Sequence, residues 1–78
     1  MHITHYTLET IRDNKAVYIG SCAIREQALQ VAEAYRDKHN VPVIVCAHCK
    51  HPDGTIELRR VAYNADGTKT ILWRTCID

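Results

Sequence analysis

The chain has 78 residues, 46% of them hydrophobic and 24% charged, with a formal net charge of +1 at pH 7. This is one globular domain spanning residues 1–78, not a disordered chain, and a charge so near zero excludes any global attraction to nucleic acid or to a membrane surface. A domain this small buries only roughly 60% of the surface its unfolded chain exposes, so a dimer interface or a bound metal would add useful support.

The first residues, MHITHYTLETIRDNK, contain no apolar run of signal-peptide length. No later segment approaches the ~20 apolar residues of a membrane span, so a soluble, cytoplasmic protein with no membrane partner is expected. Four cysteines are present, Cys22, Cys46, Cys49 and Cys76. In a reducing compartment they are expected as thiols or metal ligands, not as disulfides.

Residues 3–11 and 16–20 are rich in Ile, Thr, Tyr and Val and flank the turn-forming cluster RDNK, which predicts a β-hairpin. Ile3 and Ile11 fall on one parity and Tyr6 and Leu8 on the other, so a bulge or register change is predicted in the first strand.

From Ile24 to His39 the hydrophobic period becomes helical: Ile24, Ala28, Val31, Ala32 and Tyr35 lie within about 100° on a wheel of 3.6 residues per turn. Arg25, Glu26, Gln30, Glu33 and Asp37 form the opposite, solvated side. Leu29 sits on the flank between Arg25 and Arg36, where it can touch a second copy or a partner. Asn40 can take the left-handed cap conformation and Pro42 blocks continuation, whereas only Ser21 stands near the start as a cap.

Three strand-like runs follow, VPVIVCAHC, TIELRRVAY and TKTILWRTC, separated by HPDG and NADG. Asp-Gly between β-branched runs is a strong hairpin signal, because glycine accepts the positive φ of the turn. Two such turns give a three-stranded meander. The expected fold class is α+β, an antiparallel sheet of about five strands with one helix packed across one face, in the order β-β-α-β-β-β.

The segment CAHCKH places Cys46, His48, Cys49 and His51 within six positions. Cys-x-x-Cys binds zinc when the backbone folds into a knuckle that brings both sulfurs ~2.3 Å from one ion. On an extended strand Cys46 and Cys49 would stand about 10 Å apart and point to opposite faces, pairing Cys46 with His48 and Cys49 with His51 instead. Further ligands would have to come from Cys22, Cys76, His2 or His5. With no second Cys-x-x-Cys, the expectation is an ordinary strand with one cysteine in the core, the histidines toward solvent or an edge, and no cofactor. Zinc held by Cys46, His48, Cys49 and His51 is the alternative. A Cys-His nucleophile exists on composition alone. Neighbours on a strand rarely surround a substrate pocket, and no catalytic residue is assigned.

Lys50, Arg59, Arg60, Lys69 and Arg74 gather in the meander. A helix-free sheet face is expected to display Arg59, Tyr63 and Arg74 together, a combination suited to protein or phosphate contact, although Glu57 interrupts the positive charge. Trp73 shares the strand parity of Ile71 and is expected in the core.

The C-terminal segment RRVAYNADGTKTILWRTCID, with AY, two residues, DG, a short charged stretch and then tryptophan, resembles small anti-CRISPR proteins of phages and mobile elements that block type I, Cascade-type effector complexes. The element order is similar over most of the chain. CAHCKH departs from the resemblance. The resemblance implies a non-enzymatic inhibitor in the host-cell cytoplasm that binds an effector subunit and blocks target DNA binding or nuclease recruitment. Its contact candidates are Arg59, Arg60, Tyr63, Lys69 and Arg74. Charge reversal at Arg59 or Arg74 is then expected to weaken binding while moving stability by no more than about 0.5 kcal/mol. The alternative is a zinc-stabilised nucleic-acid-binding module built on the Cys46–His51 cluster. Unprotected sheet edges and Leu29 also leave room for a homodimer.

Overall fold

The computed structural model describes residues 2–77, with side chains through residue 72. The chain forms β1 (His2–Arg12), β2 (Lys15–Cys22), α1 (Arg25–His39), β3 (Val43–Lys50), β4 (Ile56–Tyr63) and β5 (Lys69–Ile77). All five strands join one sheet in the order β2-β1-β3-β4-β5, and every neighbouring pair is antiparallel. The fold is therefore the expected α+β arrangement of one sheet and one helix.

Local chemistry sets each connection. Asp13 and Asn14 both take positive φ, 51° and 63°, which closes the β1–β2 hairpin with the twist its strands require. The other two hairpins share one design. In His51–Thr55 the Gly54 N–H donates to His51 O at 3.0 Å and the Asp53 carboxylate accepts the Thr55 N–H at 2.9 Å. In Asn64–Thr68 the Gly67 N–H donates to Asn64 O at 3.0 Å and Asp66 accepts the Thr68 N–H at 2.9 Å. Gly54 and Gly67 have φ of 90° and 91°. The Thr55 N–H lowers the pKa of Asp53, and the Thr68 hydroxyl, donating at 2.6 Å, together with the Thr68 N–H lowers that of Asp66.

The irregularity expected in the first strand is real. Register shifts fall between Ile3 and His5 against β3, and between Leu8 and Glu9 against β2. Helix α1 begins at Ile24 with no side-chain cap and ends at Asn40, whose φ is 54° and whose N–H donates to Arg36 O at 2.7 Å. The Thr10 hydroxyl donates to Pro42 O at 2.9 Å and ties the start of β3 to β1.

Helix α1 lies over β1, β2 and β3 and reaches only the margin of β4. Ala28 and Ala32 are fully buried against Tyr6, Leu8, Val43 and Val45, with Ile19, Cys22, Tyr35, Ala47 and Tyr63 around them. The contact stripe differs from the one expected. Small alanines let the helix axis approach the sheet closely, and the buried face turns toward Leu29, which is half-buried. Ile24 and Val31, at the far margin, remain 51% and 44% exposed.

Candidate functional site

Cross-strand partners share a face, so the register assigns every side chain. On the helix side the rungs are Tyr6, Ala47 and Arg59; Leu8, Val45, Val61 and Ile71; and Thr10, Val43, Tyr63 and Lys69. On the opposite side they are His5, His48 and Leu58; Thr7, Cys46 and Arg60; and Glu9, Ile44, Ala62 and Thr70.

This placement corrects the face expected for the partner residues. Arg59 and Tyr63 stand on the helix-bearing side, and Arg74 is paired with Arg59 in the backbone register. Arg60 points to the other face, so the five nominated residues do not form one surface. The side chains of Trp73, Arg74 and Cys76 lie outside the described residues, as do the core, partner and ligand roles expected of them.

The Cys/His segment is extended strand, not a knuckle. Cys46 and His48 face away from the helix, Cys49 is fully buried on the helix side, and His51 lies just past the end of β3. One ion cannot collect all four. His5 comes to His48 from β1, but the two rings stack with centroids 4.1 Å apart and planes 14° apart. One nitrogen of each ring is engaged elsewhere, His48 Nε2 with the Thr7 hydroxyl at 3.0 Å and His5 Nδ1 with the Thr4 hydroxyl at 2.9 Å. Among the described residues no three His, Cys, Asp or Glu side chains form a group for a metal.

Cys46 is only 2% exposed. Burial pushes its thiol up from the ordinary value, and the nearby Arg60 and the Thr7 hydroxyl only partly oppose that shift. The side chain stays a thiol near neutrality. Burial and the adjacent His5 together lower the pKa of His48.

Glu57 is the one buried carboxylate among the described residues, 8% exposed on the helix side of β4. Arg59 Nε–H donates to one of its oxygens, and His51 Nε2 lies 3.0 Å from the other. In the sequence Glu57 stands only as an interruption of positive charge. The i, i+2 spacing of Glu57 and Arg59 on one strand was the available signal that they share a face.

The remaining feature is a shelf. Because α1 reaches only the margin of β4, the helix side of the sheet is open at Ile71, which is 83% exposed opposite Val61. Between α1 and β4 lies a cavity of about 120 Å³ lined by Tyr6, Leu29, Val45, Ala47, Val61 and Tyr63, with Arg25 and Arg59 at its margin. Lys69, beside Tyr63 on β5, is exposed at the other end. An apolar floor edged by arginine, tyrosine and lysine suits a protein partner's surface, where aromatic and arginine anchors carry much of the affinity.

Comparison with protein-family models, with curated proteins and with solved structures gave no match. No helix among the described residues is long and apolar enough to cross a membrane.

Proposed function

We propose that the chain is a non-enzymatic, protein-binding inhibitor that docks on a subunit of a type I CRISPR effector complex through the α1–β4–β5 shelf. It acts in the cytoplasm of the host cell and blocks target DNA binding or nuclease recruitment by occlusion. The observation that carries the binding mode is Ile71, a large apolar side chain left 83% exposed beside a cavity bordered by Arg25, Arg59 and Tyr63. Exposed apolar area rimmed by polar groups marks an interaction surface. The class of partner rests on the resemblance of the AYNADGTKTILW segment, residues 62–73, which spans the end of β4, the turn after it and the first part of β5.

Co-purification tests the reading. Immobilised wild-type protein is expected to retain a type I effector complex, and Ile71→Lys is expected to lose it while remaining folded. Equal retention by both would remove the shelf from the interface. Retention by neither would remove the effector as partner.

A further inference from the structure

The face away from α1 carries a pattern that the binding shelf does not use. One rung crosses all five strands there: Tyr18 on β2, Glu9 on β1, Ile44 on β3, Ala62 on β4 and Thr70 on β5. Large side chains occupy the β2 and β1 end, and small ones the β4 and β5 end. Strand β3 lies at the centre of the order.

A two-fold axis running along β3, between two sheets stacked back to back, reverses the strand order in the second copy. Tyr18 of each copy then lies over Thr70 of the other, Glu9 over Ala62, and Ile44 over its own equivalent. The neighbouring rung behaves in the same way. Ser21 and Thr7 are small, Cys46 is central, and Arg60 is long. Reversal sets Arg60 over Thr7, within reach of Glu9 two residues along the same strand of the other copy. Across these two rungs the surface is complementary to itself in size and in charge, while the next rung sets His5 over Leu58 and His48 over its own equivalent.

Its area is sufficient. Five strands ~4.8 Å apart, paired over about eight residues at ~3.3 Å, cover roughly 600 Å², so two copies would bury roughly 1,200 Å², the lower range of a stable interface. Ile44, Leu58 and Leu72 are half-buried in the protomer, and Ile11 and Tyr18 are exposed. We propose that the chain forms a two-fold homodimer through this face, a β-sandwich with each copy's helix and shelf on the outside. The inference does not rest on the identity of the shelf's partner. It makes the protein bivalent, with two shelves turned in opposite directions.

Sedimentation velocity from about 1 to about 200 µM tests it. The wild type is expected to sediment as a dimer at the upper end. Ile44→Lys and Tyr18→Lys are each expected to raise the dimer dissociation constant at least about tenfold. Val31→Lys, on the outer side of α1, is expected to remain dimeric. Tyr18 is 64% exposed in the protomer, so its replacement preserves the test if Ile44→Lys does not fold. A wild-type monomer at the highest concentration overturns the proposal, and so does a dimer that survives both substitutions. A monomer whose effector retention is lost with Tyr18→Lys would assign this face to the effector and overturn it equally.

Discussion

Arg59 donates its Nε–H to the carboxylate of Glu57, two residues earlier on the same strand and almost wholly buried. The guanidinium is therefore committed to the fold before any partner arrives, and Glu57 in turn raises its pKa further. Arg59→Met is expected to lower the urea midpoint, because it takes a charged hydrogen-bond partner from the almost wholly buried Glu57 carboxylate. Urea unfolding checks this. An unchanged midpoint would mean that the pair contributes nothing. The same contact argues against the expectation that Arg59→Glu moves stability by no more than about 0.5 kcal/mol, since the new carboxylate would face Glu57.

The stacked His5 and His48 rings give a direction to pH dependence. Burial and the neighbouring His5 lower the folded pKa of His48, with Arg60 acting the same way and Glu9 opposing. The unfolded chain then binds the proton more readily than the native state. The His48 contribution is complete above its unfolded pKa and is lost as pH falls through that value and the lower folded one. Urea midpoints measured from about pH 8 down to about pH 5, the range in which histidine titrates, are expected to fall, with a shallower fall in His48→Gln. Identical slopes in the two proteins would show that the stack carries no linkage.

Each Asp-Gly hairpin depends on one glycine with φ near 90° and open space around its Cα. Gly54→Ala and Gly67→Ala are expected to cost about 1–2 kcal/mol each through backbone strain alone. Asparagine at either position is expected to cost less, because it tolerates the left-handed region. Thermal unfolding of the four variants measures the difference. Equal losses for alanine and asparagine would point to side-chain crowding instead.

The split of the Cys/His segment across the sheet has its own consequence. With Cys46 and His48 on one face and Cys49 buried on the other, chelation with EDTA is expected to leave the melting temperature unchanged. A fall of several degrees, reversed by zinc, would show that the segment folds around a metal.

Much of the architecture was legible because its determinants are local. The Asp13–Asn14 and Asp-Gly turns, the helical period from Ile24 and the Asn40 cap each act within a few residues of themselves. Even the first-strand bulge showed as a conflict of parity between Ile3 and Tyr6. What stayed hidden depends on where α1 lies across the sheet. The helix pattern alone cannot show that close packing of Ala28 and Ala32 leaves Val31 outside and draws Leu29 into the cavity. Nor can it show that the helix ends short of β5 and leaves Ile71 bare. The stacking of His5 on His48 likewise follows from a pairing between strands distant in the chain. Arg59 and Tyr63 were legible as neighbours on one side of β4, but the side itself was not.

The most direct test is an equilibrium titration of a type I effector complex with labelled target DNA, with and without the protein. Fluorescence anisotropy is expected to show DNA binding lost at stoichiometric protein and retained with Ile71→Lys, or else DNA binding intact with nuclease recruitment abolished in a paired cleavage assay. Unchanged DNA affinity together with unchanged cleavage at saturating protein would contradict inhibition by occlusion.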